Sequence, residues 1–158
     1  MKSASLHEIK KELQTVETSA LLELALRMAR YRKENKELLT YLLFEAQDEP
    51  GYVESIKRDI DEQFEAVPKA NLYFVRKGLR RILRLINRQI RYSGVKQSEL
   101  EIRLHYCMRL KESGIPMDAG TAISNLYQQQ IKKIKSVLSK LPEDLQFDYQ
   151  QSMTNLLI

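Results

Sequence analysis

The sequence predicts an all-α fold, and three observations carry that prediction. Glycine and proline are sparse, five and four among 158 residues. They fall at intervals as punctuation: Pro50-Gly51, Pro68, Gly94, the stretch 114–120 and Pro142. Between these breaks the apolar residues recur every three or four positions, the period of an amphipathic helix. A hydrophobic fraction of 43%, a charged fraction of 30% and the absence of tryptophan then fit a helix-rich globular chain. The length favours one domain spanning 1–158, long enough to bury roughly two-thirds of its unfolded surface.

The elements follow in order. Ser5 and Glu8 have the spacing of a capping box and open a short helix to about Gln14, expected to dock on later helices. Residues 18–47 contain neither glycine nor proline, and Leu21, Ala25 and Met28 stay nearly in phase with Leu39, Leu42, Leu43 and Ala46. Polar residues interrupt that stripe, and because the mean helix is about 11 or 12 residues, two helices broken near 33–35 are expected rather than one. Pro50 and Gly51 open a helix with Val53, Ile56, Ile60 and Phe64 on one side and acidic residues on the other. Asn71 caps the next helix and Gly94 sits at its left-handed terminus, giving bounds of about 71–93. Ser98 with Glu101 makes a second capping-box match, for a helix ending near Gly114. Asp118 or Thr121 opens a helix with Ile123, Leu126, Tyr127, Ile131, Ile134, Leu138 and Leu141 on its buried face, and Pro142 begins the last helix. Seven or eight helices joined by short turns give a compact bundle or a short stack of antiparallel helical hairpins, without an internal repeat.

Charge is distributed unevenly over this plan. Between Glu65 and Glu99 there is no acidic residue, while Lys69, Arg76, Lys77, Arg80, Arg81, Arg84, Arg88, Arg91 and Lys96 supply nine positive charges in a chain whose net charge is +5. On a helical wheel Leu72, Val75, Leu79, Ile82, Leu83, Ile86 and Ile90 lie within about 100° and face the core. Lys77, Arg80, Arg84, Arg88 and Arg91 form a ridge opposite, with Arg76 and Arg81 beside it. Successive members are about 4.5–6 Å apart along the axis, a spacing compatible with phosphates along a strand. Arginine predominates, and its guanidinium fork binds phosphate bidentately. Tyr73, Phe74 and Tyr92 at the helix ends offer stacking surfaces for bases, although Phe74 and Tyr92 flank the apolar stripe and are expected to be buried. The competing use of the ridge is internal: Glu54, Asp59, Asp61, Glu62 and Glu65 on the preceding helix are placed to neutralise it across the hairpin. Gly78, inside the helix, costs about 1 kcal/mol relative to alanine and implies close packing of another helix.

Catalytic signatures are lacking. Two histidines and one cysteine do not make a usual zinc set, and His105 and Cys107 are about 200° apart on their helix. Glu101 and His105, one turn apart, are expected to contact each other. The sequence holds no phosphate-binding glycine loop, nucleophile elbow, dinucleotide fingerprint or calcium loop. No cofactor or metal is expected, and no enzymatic activity. The single cysteine and an amino terminus without a continuous apolar run favour a cytoplasmic protein. The expectation is a non-enzymatic helical module holding an anionic partner, nucleic acid first, through Lys77, Arg80, Arg84, Arg88 and Arg91. The alternative is a protein-protein adaptor of helical-repeat type, with Tyr31, Tyr41, Phe44 and Tyr52 as candidate contacts if they face solvent. Attachment to an anionic membrane ranks third, because the apolar face of the basic helix is needed by the core.

Overall fold

A computed structural model describes residues 1–157, and among them are eight α-helices, one π-helical turn and no strand. The helices gather into two compact units, residues 1–44 and residues 45 onward, where length alone favours one domain.

The first unit holds α1 (Leu6–Leu13), α2 (Thr18–Tyr31) and α3 (Lys33–Thr40). The Ser5 capping box forms in full: the Glu8 amide donates to Ser5 Oγ at 3.3 Å and the Ser5 amide to Glu8 Oε2 at 2.7 Å. The break expected near residue 33 falls at Arg32, whose extended backbone (φ −144°, ψ 149°) separates α2 from α3. Asn35 Nδ2 then donates to the Met28 carbonyl at 2.8 Å and ties the corner. The burial expected here is not present. No residue of α1, α2 or α3 is buried, including Leu21, Ala25 and Met28, and Tyr41, at the start of the π-turn Tyr41–Glu45, is the buried side chain of this unit. Three short helices have too little mutual surface to cover the apolar stripes their sequences carry.

The second unit contains the core. Asp48 caps α4 (Glu49–Glu65), accepting from the Gly51 amide at 3.1 Å, with Pro50 in the first turn where its missing N–H costs nothing. Asn71 Oδ1 accepts from the Tyr73 amide at 2.8 Å to start α5 (Leu72–Ser93), and Gly94 ends it at φ 69°, the left-handed position that favours glycine. The helix α6 (Lys96–Glu112) begins two residues before Ser98, so the expected Ser98–Glu101 capping box does not exist. Ser98 is buried and donates instead to Glu49 of α4. Thr121 caps α7 (Ala122–Leu138) through the Ser124 amide, and Val137 rather than Leu138 completes its buried face. The last helix is α8 (Glu143–Leu157).

Contacts between helices fix their directions. Gln63 meets Arg81 and Tyr52 meets Gln89, so positions rise on α4 as they fall on α5 and the two are antiparallel. From α4 to α6 the partners rise together, Glu49 with Ser98, Lys57 with Glu101 and Asp61 with His105, so those two run parallel. Gln97 with Tyr149 and Lys111 with Asn155 make α8 parallel to α6. This alternation is the direction pattern of helical hairpins laid side by side. The middle helix, α6, buries Leu100, Ile102, Leu104, Tyr106, Cys107 and Leu110, as a helix packed on several sides must. Its Glu101 accepts from Lys57 of α4 at 3.3 Å and from the Tyr149 hydroxyl of α8 at 2.6 Å, linking the three parallel helices.

Candidate anion-binding surface

The arginine-rich helix is held by one face. Val75, Leu79, Ile82, Leu83, Ile86 and Ile90 are buried, at roughly 1.5–3 kcal/mol for each large side chain, which fixes the rotation of α5 about its axis. That rotation turns Lys77, Arg80, Arg84 and Arg91 outward as exposed side chains, while Arg88 is half-buried. From Lys77 to Arg91 the ridge extends about 21 Å at 1.5 Å per residue.

Two carboxylates of the acidic helix, Asp61 and Glu54, pair away from the ridge. Asp61 Oδ1 lies 2.7 Å from His105 Nε2 and 2.8 Å from Arg109 Nε, both on α6. Glu54 pairs with Lys57, whose ammonium also reaches Glu101. Lys57 holds Glu54 below the ordinary carboxylate range through its hydrogen bond and its charge. Asp59 is pushed up, first by burial and then by neighbouring Glu62, against a smaller opposing effect of Arg58. Among the described residues no carboxylate forms an ion pair with Lys77, Arg80, Arg84 or Arg91. Arg81, on the flank of the ridge, meets a neutral partner on α4: its Nε and Nη2 both donate to Gln63 Oε1, at 3.0 and 2.5 Å. An amide orients the guanidinium and leaves its charge in place.

Aromatic residues stand at the start of this ridge. Leu72 was expected in the core and Phe74 beside it, yet Leu72, Tyr73 and Phe74 are 57%, 56% and 48% exposed. Consecutive helical residues are 100° apart, so three bulky side chains in a row span 200° and do not fit a stripe half that width. Tyr73 and Phe74 pack edge to face at 5.3 Å, and the Arg76 guanidinium lies 5.8 Å from the Tyr73 ring centre. Tyr92, at the other end, is half-buried.

Two clefts flank the first half of the ridge. One, of 180 Å³, has Ala66, Val67, Pro68, Phe74 and Gly78 as apolar wall and Gln63, Lys77, Arg81 and Arg84 as polar rim. The other, of 230 Å³, is bounded by Tyr73, Arg76, Lys77, Arg80 and Arg84. Lys77 and Arg84 line both. The close approach implied by Gly78 is made by a turn residue and not by a helix: a Cβ there would sit 2.9 Å from Val67 Cγ2.

The remaining candidates separate. Cys107 is fully buried, and burial pushes its thiol up to about 12, partly offset by Arg103, which suits a small inert hydrophobe. His105 meets Asp61, not Glu101, because the turn of α6 that carries it faces α4. Of the aromatic segment, Tyr41 and Tyr52 are buried while Tyr31 and Phe44 are exposed. Among the described residues no helix is long and apolar enough to cross a membrane. Compared with protein-family models, with curated proteins and with solved structures, the chain finds no match in any of the three.

Proposed function

We propose that this chain is a non-enzymatic, cytoplasmic helical module that holds nucleic acid along α5, with Lys77, Arg80, Arg84, Arg88 and Arg91 as the phosphate-binding ridge. The observation that carries the reading is the lack of any described carboxylate pairing with Lys77, Arg80, Arg84 or Arg91, while on the neighbouring acidic helix Asp61 pairs with α6 and Glu54 with Lys57 of its own helix. Four exposed cations on one rigid face repel one another, and an anion relieves that repulsion. Affinity of this kind comes from counterion release and is largely indifferent to base sequence. One phosphate at each of the four exposed cations gives a slope of log affinity against log salt of about −2.8 on single strands and −3.6 on duplex DNA. Titration of fluorescent oligonucleotides at several salt concentrations measures it, and a flat response or failure to bind at low salt overturns the reading.

A second reading, a protein-protein adaptor, is favoured by the first unit. Its α2, α3 and the start of the π-turn line a 480 Å³ groove with Leu26, Leu39 and Leu43 among its apolar residues and Arg30, Lys33 and Lys36 among its cations. That combination suits an amphipathic helix with acidic flanks. Titration with a synthetic peptide of that design, compared between wild type and Leu43→Glu, tests it independently of the ridge.

A further inference from the structure

We infer that the cleft between Pro68 and Phe74 seats an unpaired nucleobase, so that the nucleic acid held by α5 is single-stranded. This rests on the reading of α5 as a nucleic-acid surface and narrows it to a substrate class. The cleft joins two chemistries in one place. Its wall is apolar, made by Ala66, Val67, Pro68, Phe74 and Gly78, and the Phe74 ring gives it an aromatic face of the kind on which any base can stack. Its rim is cationic, and Lys77 and Arg84 are shared with the neighbouring cleft that also holds Arg80. A strand with one base in the first cleft therefore meets Lys77, Arg81 and Arg84 at its edge and Arg80 beyond them, where the next phosphate follows.

The parts are set in position before any ligand arrives. Tyr73 and Phe74 pack edge to face, and Gln63 holds the Arg81 guanidinium by two hydrogen bonds. Gln63 Oε1 also leaves the Arg81 charge uncancelled, which a carboxylate at the same place would not. Val67, tight against Gly78, fixes the turn that forms the opposite wall. A duplex presents phosphates to such a ridge but keeps its base faces stacked inside, whereas single strands and loops offer them freely. The aromatic side chain adds nothing for a polyanion without bases.

The experiment compares wild type with Phe74→Leu, which keeps apolar bulk and removes the π face, and with Phe74→Ala. The probes are a short oligo(dT) strand, a hairpin duplex with the same number of phosphates, and inorganic polyphosphate. Far-ultraviolet circular dichroism establishes that each variant is folded, and Phe74→Met replaces any that is not. The expected result is that wild type prefers oligo(dT) to the duplex and that loss of the ring weakens oligo(dT) about tenfold or more, with polyphosphate binding within twofold of wild type. Equal weakening on all three probes, no effect on oligo(dT), or a wild-type preference for duplex overturns the inference and leaves the ridge as a general phosphate surface. If wild type binds none of the probes, the reading of α5 itself falls and the cleft assignment falls with it.

Discussion

Tyr106 and Cys107 are neighbours in the middle of α6, both fully buried, and the sequence distinguishes their roles only in part. The 200° separation of Cys107 from His105 is readable from spacing alone, and the structure agrees in burying one and directing the other to Asp61. What spacing does not give is partner choice across helices. The Glu101–His105 contact and the Ser98 cap both obey local rules, and both lose to longer-range partners: Lys57 and Tyr149 for Glu101, Asp61 for His105, and Glu49 for Ser98. Tyr106 packs its ring 5.5 Å from that of Phe64, yet among the described residues its hydroxyl has no hydrogen-bond partner. An unsatisfied buried hydroxyl costs about 1–3 kcal/mol, and replacing it by an apolar atom of similar shape removes that cost. Tyr106→Phe is therefore expected to leave stability unchanged or raise it by about 1 kcal/mol. The urea denaturation midpoint checks this, and a marked loss of stability shows that the hydroxyl is bonded in solution.

At the scale of single helices, α5 was the most legible element and its first turn the least. Its caps, Asn71 and Gly94, and six of the seven expected core positions were readable from the sequence, because they depend on periodicity and on the φ of glycine. The exposure of Leu72 goes with its place in the first turn beside Tyr73 and Phe74, three consecutive bulky side chains that one apolar stripe does not cover. Since Arg80 and Arg84 are exposed and no described carboxylate pairs with them, Arg80→Glu with Arg84→Glu is expected to abolish polyanion binding. The change in stability should stay near the ±0.5 kcal/mol usual for surface substitutions, somewhat more for a double reversal. Circular dichroism and the denaturation midpoint, set beside binding, separate this from a structural role, in which the double variant unfolds.

Gly78 gives a second test at the same scale. Alanine there gains about 1 kcal/mol of helix propensity, but its Cβ meets Val67 Cγ2 at 2.9 Å, and overpacking of this kind costs about 1–3 kcal/mol. Gly78→Ala should thus be neutral to destabilising by about 2 kcal/mol. In a Val67→Ala background the same change should become stabilising, because the obstructing methyl is gone. A double-mutant cycle on denaturant midpoints measures the coupling, and simple additivity refutes the account of why glycine is placed there.

Over the whole molecule, the charge asymmetry was legible because it is a property of composition, whereas the outlet for the acidic helix depended on α6 running parallel to α4. That arrangement also concentrates groups that are reluctant to ionise. Burial, first among the causes in each case, pushes Cys107, Tyr127 and Tyr149 up to about 12, with Tyr149 raised further by its hydrogen bond to Glu101. Tyr106 moves in the same direction, again through burial. The ordinary values are 9.0 for the thiol and 10.0 for the phenols, so between pH 9 and 12 the unfolded chain holds fewer of these protons than the folded one. A group whose folded value is raised contributes stability that is complete below its unfolded value and disappears as pH climbs through the folded one. The contribution from these four groups is therefore full up to about pH 9 and falls steadily towards pH 12. Urea midpoints taken from pH 8 to pH 11 check the direction, with tyrosinate absorbance near 295 nm reporting ionisation alongside. Replacing Cys107 by Ala should flatten the earliest part of the decline, around pH 9, where the thiol, with the lower ordinary value, contributes most of the difference between the two states. A midpoint that holds constant across that range, or an early decline that Cys107→Ala does not change, contradicts the burial of these groups in the folded protein.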